Sequence, residues 1–99
     1  MTDKIGGAAA LPQLEGWAIV DGDRDAIEKT FRLGDFKTAW AFMSGAALKA
    51  EQMDHHPEWF NVYNRVEVVL TTHDAGGVTQ KDVELGQFMD ALASRLGSA

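Results

Sequence analysis

Residues 34–73 read GDFKTAWAFMSGAALKAEQMDHHPEWFNVYNRVEVVLTTH, and the hydrophobic period changes inside this segment. From Asp35 the apolar residues recur at helical spacing. At about 100° per residue Phe36, Ala39, Trp40, Met43, Ala47 and Ala50 make one stripe, which Phe42, Ala46 and Met53 widen to roughly 160°. Gly34 is a stop and Asp35 a suitable N-cap, so the spacing predicts a helix of about eighteen residues beginning there. After Pro57 the period falls to two. Trp59 to Val62 and Arg65 to His73 read as two strands joined near Tyr63 and Asn64, with Val66, Val68, Leu70 and Thr72 sharing one face.

Upstream, Ile27, Phe31 and Leu33 face one way and Glu28, Thr30 and Arg32 the other, which predicts a half-buried strand. Trp17 to Val20 suit a partner strand, and Asp21-Gly22-Asp23 is turn chemistry between the two. Leu11 and Leu14 allow one short amphipathic turn ending at Gly16, whereas residues 1–10, rich in Gly and Ala, carry no pattern and are expected to fray. Downstream, residues 74–77 form a loop. Thr79 and Asp82 then have capping-box spacing, Asp standing in for the usual Glu, ahead of a helix that turns Leu85, Phe88, Met89, Leu92 and Leu96 inward and stops at Gly97.

The order is α-β-β-α-β-β-α. It predicts one α+β domain over residues 1–99, a four-stranded antiparallel sheet with three helices packed on one face. A helix resting on a single sheet needs an apolar stripe of only about 100°. The wider arc of the long helix therefore implies a second apolar neighbour, which in so small a chain is expected to be another subunit.

Composition narrows the chemistry. With 45% apolar and 24% charged residues the chain is of ordinary globular type, and its net charge of −6 with scattered basic residues argues against direct nucleic-acid binding. The absence of cysteine excludes thiol catalysis and Cys-ligated metal. No apolar run approaches the roughly 20 residues that span a bilayer, and nothing at the N-terminus resembles a secretory signal, so a cytoplasmic location is expected.

What remains is imidazole and carboxylate chemistry. His55 and His56 follow the long helix and His73 ends a strand. Three imidazoles can hold zinc, but no pair has the i, i+4 spacing of a helical metal motif, and no Ser or Thr sits on a nucleophile elbow. Acid–base work suits imidazoles, whose ordinary pKa near 6.5 allows proton transfer at neutral pH. His56 precedes Pro57 and is pushed to extended geometry, which sends the two adjacent histidines in different directions. Trp59, Phe60 and Tyr63 are ordinary core aromatics by composition, or else a flat wall for a planar heterocycle. Asp82 caps a helix and would orient an imidazole only if that helix start points into the histidine cleft. Glu51 reads as a solvated helix residue.

The run Asp54-His-His-Pro-Glu-Trp-Phe-Asn-Val-Tyr-Asn64, the following Arg65 to His73 and the pair Lys81-Asp82 closely resemble the pterin-4a-carbinolamine dehydratase family. The likeness extends back through Phe36 to Met53, Phe31 and the Asp-Ala-Ile before it to Gly16-Trp17. It implies dehydration of 4a-hydroxytetrahydropterin, a product of aromatic amino-acid hydroxylases, to quinonoid dihydropterin, with no metal and no organic cofactor. It also implies that His55, His56 and His73 are the active-site histidines. Pro57 and the loop Thr72, His73, Asp74 and Ala75 match the family's pterin-binding stretch, with Trp59 beside it and Asp82 as a nearby acid. His55 and His73 are the expected proton-transfer pair, His56 mainly holding the pterin. The family fold agrees with the order above. Its members form homodimers through their sheets and homotetramers through the long helix, and vertebrate relatives serve as dimerisation cofactors for a homeodomain transcription factor. A pure binding role through the long helix is thus the alternative to catalysis.

Overall fold

The computed structural model describes residues 3–97. Alternation builds the sheet: along β2 (Ile27–Arg32) Ile27 and Phe31 are buried while Glu28, Thr30 and Arg32 are exposed, and along β4 (Arg65–Leu70) Val66, Val68 and Leu70 are buried. Together with β1 (Ala18–Ile19) and β3 (Glu58–Val62) they make a four-stranded antiparallel sheet of order β1-β2-β4-β3. The register pairs Phe31 with Val66 and Trp59 with Val68, so one face collects the apolar residues. Tyr63, at φ +51, makes the tight turn from β3 to β4.

That face is covered by α2 (Phe36–Met53) and α3 (Gln80–Arg95). The Asp35 side chain caps α2 by accepting from Thr38 N at 2.8 Å. The buried side of α2 is Ala39, Phe42, Ala46 and Ala50, whereas Phe36, Trp40 and Leu48 are exposed by 49%, 59% and 70%. The sequence-predicted stripe is therefore split: Phe42, part of the widened arc from which a second apolar neighbour was inferred, lies wholly in the protein's own core. The physical cause is the position of α3, which packs along α2 where the small residue Gly45 lets Leu92 approach; a Cβ there would lie 2.7 Å from Leu92 Cδ2.

In the core Phe31 lies 4.7 Å from Phe42 between ring centroids, and Trp17 meets Phe31 edge-on at 6.0 Å. Trp17 donates through Nε1 to Asp90, which also takes a 2.7 Å hydrogen bond from Lys29 Nζ. This joins the N-terminal segment, β2 and α3.

The N-terminal segment differs from its reading as a frayed end. Gly7–Ala10 form a short helix, α1, running into a 3-10 turn at Leu11–Gln13, and Ala10 is fully buried. Lys4 bridges to Thr79, and the amides of Ile5 and Gly6 donate to Val78 O at 2.8 and 3.1 Å. These partners lie at the far end of the chain, where no local pattern can announce them. Residues 1 and 2 of the expected frayed stretch lie outside the described residues.

Candidate active site

At one end of the sheet the close of α2, the start of β3, the close of β4 and the start of α3 meet. Helix α2 stops at Asp54, whose left-handed backbone (φ 50, ψ 45) returns its amide to Ala50 and Glu51. This reversal, followed by the extended approach to Pro57, drives the two histidines apart. His55 turns inward and is only 7% exposed, with Nε2 2.5 Å from Oδ1 of the fully buried Asp82. His56 turns outward, its Nε2 2.8 Å from Glu51 Oε1 at the surface.

Asp82 does two jobs. As the third residue of α3 it completes a capping box with Thr79. Its Oδ2 accepts from Thr79 N at 2.9 Å and from Thr72 Oγ1 at 2.8 Å, leaving Oδ1 for His55. Because the single hydroxyl proton of Thr72 goes to a carboxylate that can only accept, Thr79 Oγ1 is the donor in the 2.8 Å contact between the two threonines. The helix start does point into the histidine cleft, the condition under which a capping carboxylate also orients an imidazole.

His73 is the residue after Thr72. It opens a 3-10 turn, His73–Ala75, closed by Gly76 at φ +74 and by paired backbone hydrogen bonds between Thr72 and Gly77 at 3.0 and 3.2 Å. His73 and Asp74 are exposed, Ala75 and Pro57 half-buried. A recess of about 150 Å³ beside His73 is lined by Arg24, Asp25, Thr71, Thr72, Gly76 and Gly77. Arg24 holds Glu58 in a two-pronged ion pair at 2.6 and 3.0 Å. That guanidinium keeps the Glu58 carboxyl below its usual range, and the charge of the nearby His73 acts in the same direction.

The structure thus joins His55, Asp82 and Thr72 directly, sets His73 next to them along the chain, and places His56 on a separate contact. The wall of Trp59, Phe60 and Tyr63 does not form. Trp59 faces the helices and packs against the core, Phe60 alternates to the open face, and Tyr63 occupies the turn at the far end of β3. Glu51, read from the sequence as a solvated helix residue, is exposed and also partners His56, and the Arg24–Glu58 pair was not singled out from sequence. Glu51 lay within reach of a local argument, five residues before His56 at a helix end. The Arg24–Glu58 pair joins positions 34 apart and left no local signal.

Chemically, a buried carboxylate on Nε2 fixes the imidazole ring and leaves Nδ1 of His55 as the nitrogen free to take or give a proton. Among the described residues no three His, Asp or Glu side chains are grouped as metal ligands. The fold and this end of the sheet define an α+β domain with a buried imidazole–carboxylate pair where its helices and strands meet.

Comparison with known proteins gives that class its family. The family described as pterin 4 alpha carbinolamine dehydratase matches residues 3–92. A Bradyrhizobium protein provisionally named pterin-4-alpha-carbinolamine dehydratase is 58% identical over 89 residues, 90% of this chain and 88% of its own length. A Burkholderia multivorans protein of the same provisional name is 55% identical over 84 residues, covering 85% and 81%. The crystal structure of a transcriptional coactivator/pterin dehydratase from Brucella melitensis superimposes with a TM-score of 0.87 at 49% identity, covering 92% of this chain and 99% of that one. The chain belongs to the pterin-4a-carbinolamine dehydratase family and is a hydro-lyase.

Proposed function

We propose that the protein dehydrates 4a-hydroxytetrahydropterin to quinonoid dihydropterin by histidine acid–base catalysis. The carrying observation is the His55–Asp82 pair, a held imidazole one hydroxyl away from the strand end that bears a second, open histidine. Water leaves when the C4a–O bond breaks, which needs one proton delivered to the departing hydroxyl and one removed from ring N5. His55 and His73 exchange these protons. His56, Pro57, Thr72, Asp74 and Ala75 hold the pterin, and Asp82 acts through His55. The substrate class points to aromatic amino-acid hydroxylases as its source, and the work to the cytoplasm.

The test is a spectrophotometric dehydration assay with the protein-free rate subtracted. His55→Ala or His73→Ala should lower kcat by about 10² to 10⁴, the usual contribution of one general acid or base. His56→Ala should mainly raise KM. The double variant His55→Ala, His73→Ala should cost less than the product of the single effects, since groups acting as a unit are not additive. Full kcat and KM in all three folded single variants would overturn the assignment.

A second reading is favoured by the exposed side of α2. Phe36 and Trp40, one turn apart, make an exposed apolar patch, with Leu48 exposed further along the helix, suited to a protein partner, as in a dimerisation cofactor, and the Brucella relative carries the coactivator description. We take the first occupant of that face to be another copy of the chain, with the β3 edge, bearing Phe60 and Val62, as the other contact of a homodimer or homotetramer.

A further inference from the structure

Asp25 precedes β2 and has no hydrogen bond to a histidine among the described residues, yet it ties together three distant segments. Its Oδ1 accepts from Gly7 N at 2.9 Å and its Oδ2 from Val78 N at 2.8 Å, while its backbone carbonyl accepts from Thr71 Oγ1 at 2.8 Å. Thr71 immediately precedes Thr72, and Val78 immediately precedes Thr79. Thr72 Oγ1 and Thr79 N are the two donors to Asp82 Oδ2.

We propose that Asp25 is a positioning residue for the His55–Asp82 pair, fixing the chain one residue ahead of each donor and thereby the direction in which Asp82 presents its other oxygen to His55. The inference rests on the acid–base reading given above. The surroundings are shaped for this carboxylate. A Cβ on Gly77 would collide with Asp25 Oδ2 and lie 2.7 Å from Lys4 Cε, so only glycine admits Asp25 this close to the backbone. The amides of Gly7 and Val78, with a smaller contribution from Lys4, hold its carboxyl below the usual range, so at neutral pH it accepts from both amides at once.

Asp25→Asn tests the idea, because the carboxamide keeps the shape but turns an NH2 towards one of the two amides. The short His55–Asp82 hydrogen bond should give a far-downfield proton resonance in the ligand-free protein, a signal of positioning that requires no substrate. In Asp25→Asn this resonance should move or vanish, and kcat should fall by about 10- to 100-fold with KM little changed, the scale of a small misplacement of a reacting group. Thr71→Val should act in the same direction and Thr71→Ser should restore both readouts. If Asp25→Asn does not fold, the Val and Ser pair at Thr71 carries the same test. A lower Tm with resonance and kcat unchanged would make Asp25 a fold anchor only and overturn the proposal. So would a rise in KM alone, since Asp25 also lines the recess beside His73. Should the wild-type protein fail to accelerate the dehydration, the acid–base reading falls, and the ligand-free resonance still decides whether Asp25 positions the pair.

Discussion

Asp82 takes three hydrogen bonds on two oxygens, each from a different segment, with no solvent to replace any of them. Asp82→Asn should therefore separate charge from shape. The carboxamide oxygen can still receive Thr72 and Thr79, but its NH2 then faces His55 Nε2, which must become an acceptor, and the imidazole is held in the opposite tautomer. Steady-state assay should show kcat reduced by about 10² to 10⁴, while thermal denaturation shows a loss of only about 1–3 kcal/mol. Unchanged kcat would remove His55–Asp82 from the chemistry. Among the described residues three carboxyls lie below their ordinary range: Asp25 through the amides of Gly7 and Val78, Asp35 through Thr38, and Glu58 through Arg24. A lowered folded pKa means the unfolded chain binds the proton more readily, so this stabilisation is complete above the ordinary values of 3.8 and 4.5 and is lost as pH falls through the lowered ones. Tm should decline below pH of about 4, and Asp25→Asn should flatten that decline. Which histidine turns inward was not legible, because His55 and His56 are alike in every local property. The left-handed Asp54 and a carboxylate 27 positions downstream make the choice.

Helix α2 illustrates how far periodicity carries. Its limits follow from Gly34, Asp35 and Pro57, and the capping box of α3 from the spacing of Thr79 and Asp82. The inward side of α2 was only half legible, since the period marks an apolar arc without saying which part a neighbouring helix will cover. Phe42, at 0% exposure against Phe31, should cost about 3–5 kcal/mol when changed to alanine. Trp40→Ala should leave the stability of the isolated fold within about 0.5 kcal/mol. Denaturant titration at low protein concentration distinguishes the two. Equal losses would mean that Trp40 belongs to the core after all. The short N-terminal helix lay beyond such reasoning, because Ala10 and Gly7 are held by tertiary contacts and not by an amphipathic pattern.

For the molecule entire, two apolar surfaces stand apart: Phe36, Trp40 and Leu48 on α2, and Phe60, Val62 and Tyr63 along and beyond the β3 edge. If copies associate through α2, Trp40→Glu should shrink the particle seen by light scattering while leaving the circular dichroism intact, because a charge forced unpaired into a contact costs several kcal/mol. A wild-type protein already monomeric at micromolar concentration would defeat this reading. The arc that predicted a second neighbour was sound as a signal of surplus apolar surface, but the surplus sits on Trp40 and Phe36 and not on Phe42.

The bond from Ile5 N to Val78 O also bears on how the chain is born. At about 5–20 residues per second a ribosome needs roughly 4–15 s to lengthen the chain by the seventy-odd residues between those partners. The earlier segment must therefore wait for a partner made some seventy residues later. Until Val78 and Thr79 arrive, the Asp25 carboxylate accepts from only one of its two amide donors, that of Gly7, and the buttress behind Asp82 is completed only when they do.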